Sequence, residues 1–247
     1  MPYGNIEQFS HQEYRTILRM FEGKWKDFSD NVQSEFAIMR HDVEFSVKRA
    51  FDLALIENKF GMKSTYNFQV RCNAYNVYSP PNITKILKIK ELGHEIGLHL
   101  YISNTAQHDW ETVCQELNLQ IDLLSKILDF EITRFSFHRP KAWMLENRDD
   151  TIQGYLNQYG KSFFEYSPAP SEIKYLADSR HEWGYGKPSD HVSKKKIQIL
   201  IHPDEWTADG LDEENNFKAL KAELCQDILD TFMSETPKNF KKYQGMI

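Results

Sequence analysis

The chain has 247 residues, of which 40% are hydrophobic and 27% charged, so it can bury a full core as an ordinary globular protein does. The formal net charge of −6 and the lack of a basic stripe exclude nucleic acid as the main partner, because phosphate binding needs clustered Lys and Arg. No stretch reaches the roughly 20 apolar residues of a membrane span, and the first residues lack the apolar segment of a signal peptide.

The first predicted element is a helix, because Ser10 followed by Glu13 is a capping-box pattern. Beyond it, apolar residues recur at helical spacing in some segments and form short buried runs in others. Helices are predicted at 10–21, 46–61, 83–93, 110–128 and 216–233. Strands are predicted at 36–39, 63–70, 94–101, 132–137, 162–166, 173–177 and 197–201. The segments 142–160 and 181–195 are predicted to be long loops.

The alternation of strands and helices predicts parallel strands joined by right-handed crossovers. Because no linker or repeat divides the chain, the strands favour one barrel over two domains. We therefore expect a single α/β domain, a distorted (β/α) barrel of about seven parallel strands. In this interpretation residues 36–247 form the barrel and residues 1–35 form an N-terminal helical extension.

The three cysteines, Cys72, Cys114 and Cys225, are far apart in the sequence and odd in number. They share no spacing that is typical of a metal site. Structural disulfides form in oxidising compartments, so this pattern favours reduced, mostly buried thiols. We therefore expect a cytoplasmic protein. The sequence gives no indication of its oligomeric state.

Titratable side chains follow the apolar body of one predicted strand after another. They are His41, Asp42, His99, His138, Arg139, Asp178 and His202. Ligands and catalytic groups in parallel α/β folds collect at the carboxyl ends of the strands. The sequence therefore predicts a site, rich in histidine and carboxylate, at this end of the barrel.

The chemistry of these residue types is compatible with metal binding and proton transfer. Asp42 and Glu44 would point to one face if the first strand continues to Glu44, and a divalent cation would relieve their repulsion. Glu44 could equally be a charge in the first turn of the following helix. Arg139 can hold a carboxylate in a bidentate pose, and His202 can titrate near neutrality as a general acid does.

The third predicted strand begins after His94 and carries His99 near its end. The spacing of five puts these two side chains on opposite faces, so they are not expected to share one metal ion. Gly97 between them indicates a close approach of backbone or ligand. Aromatic rings can stack on sugar faces, although such rings more often pack in a core.

These motifs resemble the polysaccharide deacetylase superfamily, which is the NodB-homology domain of carbohydrate esterase family four. They resemble most its cytoplasmic relatives from O-antigen and capsule loci. The resemblance extends from about Phe36 to Trp206. Its most specific elements are the segments 40–44, 93–99, 136–140, 178–180 and 201–206.

The resemblance implies a (β/α) barrel and metal-assisted removal of an acetyl group from an N-acetylated sugar. It makes Asp42 the base, His99 a metal ligand and Arg139 the residue that orients the base. His202 becomes the acid, and Asp178 its carboxylate partner. The implied cofactor is a divalent metal, and neutral imidazole and carboxylate ligands suit zinc.

Two positions depart from the family pattern. Its paired aspartates correspond here to His41 and Asp42, with Glu44 two residues further on, so the base and the metal ligand cannot be assigned uniquely. The second metal histidine falls at Ser103, and serine is a poor zinc ligand. The nearest candidates for the missing ligand are Glu44 and His138.

The expected function is that of a metal-dependent hydrolase in surface polysaccharide biosynthesis, with a carbohydrate or sugar-nucleotide substrate. We expect four further side chains to contact that substrate, namely His41, Tyr101, Arg180 and Trp206. Hydrolysis of another amide or of a glycosidic bond is an alternative, which the separation of two carboxylates would decide. A sugar-binding relative that has lost its metal is the other alternative.

Overall fold

The computed structural model describes residues 8–30, 34–102, 108–165 and 172–235 of the chain. The helices are α1 (His11–Met20), α2 (Val47–Asn58), α3 (Pro80–Glu91), α4 (Trp110–Leu128) and α5 (Glu213–Glu235). The strands are β1 (Phe36–Val43), β2 (Thr65–Phe68), β3 (Glu95–Leu100), β4 (Arg134–Phe137), β5 (Thr151–Ile152), β6 (Tyr155–Asn157), β7 (Ile173–Ala177) and β8 (Lys196–Ile201).

All eight strands form one sheet in the order β5-β6-β4-β3-β2-β1-β8-β7. Every neighbouring pair is parallel except the β5–β6 hairpin, so the sheet contains seven parallel strands. The sheet is curled into a half-barrel, and the side-chain amide of Gln198 on β8 donates to the carbonyls of Gln158 and Phe163 across its interior. The predicted fold class, a distorted barrel in a single domain, is confirmed.

Local sequence signals account for where the helices start. The hydroxyl of Ser10 accepts a hydrogen bond from the Glu13 amide (3.0 Å), and the Glu13 carboxylate accepts one from the Phe9 amide (2.5 Å). The first bond is the Ser10 half of the capping box that the sequence predicts for α1, while the Glu13 carboxylate reaches the amide one residue before the N-cap. Ser46 caps α2 in the same way through the amide of Arg49 (3.2 Å).

Strand β1 divides the molecule into an inner and an outer layer because its side chains alternate between the two faces. Phe36 and Ile38 pack on the inner face in a small apolar cluster with Phe28 and Phe163. Residues 37, 39 and 41 point outward, and the first two of them pack in the layer that includes α1. Asp42 therefore faces the interior of the half-barrel, whereas its neighbour in the sequence faces the outer layer.

One predicted strand is wrong, and the strand that replaces it lies in a predicted loop. Residues 162–165 form no strand. Phe163 packs in the core, but it does so from a turn and not from a strand of the sheet. The β5–β6 hairpin within 142–160 pairs with β4 instead. Its two turn residues, Gln153 (φ 53°) and Gly154 (φ 85°), both have positive φ, as a two-residue type I′ turn requires.

Helix α1 packs directly against the sheet. Tyr14, Ile17 and Leu18 of α1 are buried in the same cluster as Ile199 of β8. The backbone amide of His11 donates to the carbonyl of Thr207 (2.8 Å). This segment of the predicted N-terminal extension is thus continuous with the core that supports β1 and β8.

Two further expectations from composition can be compared with the structure. No helix of the described residues is both long and apolar enough to cross a membrane. Cys225 is exposed on α5, whereas Cys72 and Cys114 are half-buried. The expectation of mostly buried thiols is therefore wrong for Cys225.

Candidate active site

A pocket of about 950 Å³ lies at the carboxyl ends of the parallel strands. Six of the side chains predicted from the sequence line it, namely Asp42, Glu44, His99, Arg139, Arg180 and His202. They come from the ends of β1, β3, β4, β7 and β8, which converge because parallel strands of one sheet end at the same edge.

Asp42 is the most deeply placed carboxylate of the pocket, with only 1% of its surface exposed. Its Oδ1 accepts hydrogen bonds from the Ser136 hydroxyl (2.7 Å) and from the Asn67 side-chain amide (2.9 Å). Its Oδ2 lies 3.5 Å from Nη2 of Arg40. Burial acts to raise the pKa of Asp42, but His99 and Arg40 outweigh it and hold this pKa below its ordinary value.

Glu44, His99 and His138 form a compact cluster next to Asp42. Glu44 Oε1 lies 2.8 Å from His138 Nδ1 and 3.2 Å from His99 Nε2, and the two ring nitrogens are 3.1 Å apart. Burial acts to raise the pKa of Glu44, but the hydrogen bonds from His138 and His99 hold it far below its ordinary value. These three side chains are the group of the described structure that could hold a metal ion.

The geometry of this cluster fits a divalent cation. Two ligands of a tetrahedral zinc site, each about 2.0–2.1 Å from the ion, lie about 3.3 Å from one another. The observed separations of 2.8–3.2 Å differ from this value by small side-chain shifts. One carboxylate and two imidazoles are also a donor set that zinc accepts in catalytic sites.

Ser136 fixes the orientation and the tautomer of His99. Its hydroxyl donates to Asp42, so it accepts a hydrogen bond from Nδ1–H of His99 at 2.8 Å. His99 Nε2 then faces Glu44 and His138, where it would present its lone pair to a bound metal ion. A hydrogen bond from the opposite ring nitrogen is the usual support of a metal-binding histidine.

His202 follows β8 and forms a pair with the buried carboxylate of Asp178. His202 Nδ1 lies 2.7 Å from Asp178 Oδ1, and the indole of Trp206 donates to Asp178 Oδ2 (2.7 Å). Burial acts to lower the pKa of His202, but the hydrogen bond and the charge of Asp178 raise it to about 10. The other ring nitrogen, Nε2, lies 4.0 Å from Glu44 Oε1 and thus faces the metal-type cluster.

Two of the predicted substrate contacts lie behind the pocket. His41 is fully buried on the outer face of β1, 2.9 Å from the Tyr14 hydroxyl and 3.1 Å from Glu57 Oε1. Trp206 is also fully buried and supports Asp178. Because neither side chain has exposed surface, the expectation that they contact substrate is at odds with the structure.

Tyr101 lies at the margin of the site. It is half-buried, and its ring centroid is 5.1 Å from that of His138. It packs beside the metal-type cluster and does not line the pocket. Ser103, where the family has its second metal histidine, lies outside the described residues.

The arginine next to Asp42 is not the one that the sequence predicts. Arg139 is exposed at the pocket, and no acidic side chain of the described residues lies within 4 Å of its guanidinium. Arg40 is fully buried, and its guanidinium lies over the Tyr159 ring (4.1 Å) and donates to the Tyr159 hydroxyl (2.5 Å). Its position two residues before Asp42 on one strand was a usable signal, since such residues share a face.

Asp204 is a second pocket residue for which the sequence predicts no role. It is 8% exposed, and its Oδ1 has no hydrogen-bond partner among the described residues. Burial raises the pKa of Asp204 to about 7. Its place directly after His202 and Pro203, at the end of β8, was the available signal.

An amide pair beneath the pocket supports Asp42. Asn67 and Gln158 exchange side-chain hydrogen bonds of 2.9 and 2.8 Å, and the same Asn67 amide reaches Asp42. A Cβ at Gly97 would lie 2.2 Å from Asn67 Oδ1, so this strand position has no room for a side chain. The close approach that Gly97 indicated is therefore that of a side chain on the neighbouring strand.

No family model and no curated protein matches the sequence. Solved structures do resemble this chain. The Xyl-CE4 domain of a multidomain xylanase from the hindgut metagenome of Trinervitermes trinervoides is 11% identical, with 81% of this chain and 85% of that one covered at a TM-score of 0.46. A family 4 carbohydrate esterase from Bacillus anthracis is 15% identical over 92% of this chain and 93% of that one, with a TM-score of 0.43.

A CE4 family pseudoenzyme from Bacillus anthracis is a third similar structure. It is 10% identical at a TM-score of 0.47, and the alignment covers 80% of this chain and 63% of that one. This chain therefore spans less than two thirds of the pseudoenzyme. At such identities and TM-scores the resemblances carry no argument about the reaction, which depends on the geometry of the pocket.

Proposed function

We propose that the protein is a metal-dependent hydrolase that removes the acetyl group from an N-acetylated sugar. The observation that carries this proposal is the convergence in one pocket of a metal-type cluster, a buried carboxylate and an imidazole paired with Asp178. Amide hydrolysis needs these three components, namely a polarised carbonyl, a base for the attacking water and an acid for the departing amine.

Glu44, His99 and His138 would hold the metal ion, with zinc the ion best suited to this donor set. The chemistry that such an ion supplies is Lewis-acid polarisation of the amide carbonyl. Ser136 contributes by keeping the lone pair of His99 Nε2 directed into the cluster. Three protein ligands leave further coordination positions open, as catalytic sites require.

Asp42 is the base in this proposal, because its lowered pKa keeps the carboxylate ionised at neutral pH. It takes a proton from the water that attacks the acetyl carbonyl carbon. Arg40 lies 3.5 Å from its Oδ2 and holds the negative charge in place, which makes Arg40 a positioning residue. Ser136 and Asn67 hold Oδ1, so Oδ2 is the oxygen available for the proton.

His202 is the acid, because Asp178 keeps its imidazole protonated. As the carbon–nitrogen bond of the amide breaks, His202 Nε2 gives its proton to the leaving nitrogen. The products are acetate and a sugar with a free amine. The hydrogen bond of Trp206 to Asp178 keeps that carboxylate aimed at His202 Nδ1.

We further propose a cytoplasmic enzyme of surface polysaccharide biosynthesis that meets sugar nucleotides or lipid-linked saccharides. The support is the motif resemblance, together with the scattered cysteines. Deacetylation at the precursor stage would set the charge of a sugar before it enters a polymer.

The test is acetate release from N-acetylglucosamine and its phosphorylated derivatives by the full chain, with and without added zinc. We expect zinc-dependent release that His99→Gln reduces by at least a hundredfold, in line with the loss of a component of the reaction. His11→Gln, a change of the same type on α1, is the control. Zinc binding without release from any of these sugars would overturn the proposed function.

A further inference from the structure

We propose that Arg139 and Arg180 together bind an anionic group of the substrate, either a phosphoryl or a carboxylate group attached to the N-acetylated sugar. The inference rests on the proposed function for the sugar end of the ligand. It assigns a chemical class to the other end, which the deacetylation chemistry leaves open.

Both arginines line the pocket and are exposed in it. No carboxylate of the described residues lies within 4 Å of either guanidinium, so within this part of the chain neither charge has an ion-pair partner. Four of the other arginines pair with carboxylates, whereas Arg15, Arg19 and Arg148 form no such pair among the described residues. These pairs are Arg40–Asp42, Arg49–Glu223, Arg71–Glu116 and Arg134–Asp27.

Both arginines have a strained backbone conformation. Arg139 (φ 48°) and Arg180 (φ 63°) are both in the left-handed region, which costs a non-glycine residue about 1–2 kcal/mol. Arg139 also precedes Pro140, and a residue before proline is restricted further. Backbone strain of this kind concentrates at functional sites, where the position of a side chain matters more than local stability.

The two arginines approach the pocket from different walls of the half-barrel. Arg139 follows β4, and Arg180 follows β7 at the edge of the sheet. Arginine presents a planar fork that matches the oxygens of a phosphoryl or carboxylate group in a bidentate manner. Two such forks that line the same pocket are suited to an anionic group of a ligand.

The remaining charges of the pocket determine where an anion can lie. Asp42 and Glu44, at the metal-type cluster, repel an anion unless a cation is bound there. The anionic group is therefore placed at the arginines, with the acetyl group at the metal-type cluster. The volume of about 950 Å³ is at the upper end of the roughly 300–1,000 Å³ of ligand pockets, which leaves room for both groups.

The test is calorimetric binding of three probes to the full chain, with zinc present. The probes are N-acetylglucosamine, its 1-phosphate and N-acetylmuramic acid, which share the acetamido sugar and differ in charge. We expect at least one anionic probe to bind tenfold or more tightly than the neutral sugar. Arg139→Gln and Arg180→Gln should each weaken that probe about tenfold, as the loss of a charge-assisted hydrogen bond does.

The double variant should bind the anionic probe no better than the neutral sugar. Arg19→Gln removes the same charge from an exposed position on α1 and should leave all affinities unchanged. The stronger of the two anionic probes identifies the phosphoryl or the carboxylate group as the source. Equal affinity for all three probes, or anion binding that survives the double variant, would overturn the inference.

Acetate release, measured in parallel, separates this inference from the proposed function. If acetate is released from neutral sugars and the arginine substitutions have no effect, the deacetylase function is supported and the anion site is contradicted. If an anionic sugar binds in an arginine-dependent way but no acetate is released, the anion site is supported and the deacetylase function is contradicted.

Discussion

The buried charge of Asp42 depends on its immediate neighbours. Its carboxylate is removed from water, yet two hydrogen-bond donors and one guanidinium surround it. Arg40 in turn has two buried guanidinium nitrogens, Nε and Nη1, without a hydrogen-bond partner among the described residues. Burying unsatisfied guanidinium nitrogens costs free energy. The contact with Asp42 explains why Arg40 is nevertheless buried, because its positive charge stabilises that carboxylate.

Replacing Arg40 by Met should lower kcat about ten- to a hundredfold and move the acidic limb of the pH–rate profile to higher pH. The reason is that Arg40 lowers the pKa of Asp42, so its removal raises the pH at which the base becomes ionised. Arg40→Lys should restore part of the shift. Arg71→Met, at an exposed arginine paired with Glu116, is the control.

The result that would contradict this role of Arg40 is a pH shift that depends on Arg139 instead. A shift of the acidic limb in Arg139→Met, with none in Arg40→Met, would return the orienting role to the residue that the family resemblance implies.

Asp178→Asn should lower kcat about a hundredfold or more and move the alkaline limb of the profile to lower pH. Asp178 raises the pKa of His202 to about 10, while burial of the imidazole acts in the opposite direction. Without the carboxylate, the pKa falls and the acid loses its proton earlier as the pH rises. An unchanged alkaline limb in this variant would exclude His202 as the proton donor.

Strand β1 serves two networks because consecutive residues face opposite layers. Asp42 enters the pocket, whereas His41 enters a buried network around Glu57 of α2. Glu57 accepts hydrogen bonds from the hydroxyls of Tyr14, Ser64 and Tyr66, which lie on or beside α1 and β2. The network thus fixes β1 against the helices from the side that has no access to substrate.

Glu57→Gln should lower the free energy of unfolding by about 3 kcal/mol at pH 7, the scale of breaking a buried ionic network. Burial acts to raise the pKa of Glu57, but His41 and the hydroxyls lower it to about 2 from an unfolded value of 4.5. Its stabilisation is therefore present above pH 4.5 and lost as the pH falls toward 2.

Urea unfolding at pH 7, 5, 4 and 3 measures this effect. The wild type should lose stability steeply below pH 4.5, and Glu57→Gln should lose less over the same interval. Glu91→Gln, at an exposed position on α3, should match the wild type. If the free energy of unfolding has the same pH dependence in the wild type and in Glu57→Gln, the network does not stabilise the ionised form of Glu57.

The elements with strong periodicity were predictable, and those without it were not. The β5–β6 hairpin has strands of two and three residues, too short to show alternation, and its signal was confined to Gln153 and Gly154. The predicted strand at 162–166 is wrong for its described residues, 162–165, because a buried ring in a turn and one in a strand look alike in sequence.

Cross-strand neighbours of the site were also beyond sequence reasoning. Asp42 lies opposite Asn67, which lies opposite Gly97, and His99 lies opposite Ser136. These contacts follow from strand register, and a shift of one residue would turn every side chain to the other face. The strand ends could be identified from the sequence, but the partners that hold them could not.

At the scale of the whole molecule, the curl of the sheet assembles the site. It brings the ends of β1, β3, β4, β7 and β8 to one pocket, so that cluster, base, acid and arginines face the same space. Asp42 and Glu44 lie at the metal-type cluster, where a cation would neutralise them, and two arginines without an ion pair among the described residues also line the pocket. This arrangement would suit the proposed ligand, which has one polarisable carbonyl and one anionic group.

The central claim is that Glu44, His99 and His138 bind a catalytic divalent cation, and calorimetric titration of metal-free protein with zinc tests it most directly. We expect one zinc per chain, with Glu44→Gln and His138→Gln each weakening binding at least tenfold and His11→Gln leaving it unchanged. Absence of zinc binding, or binding that is unchanged in both cluster variants, would show that these three residues do not form a metal site.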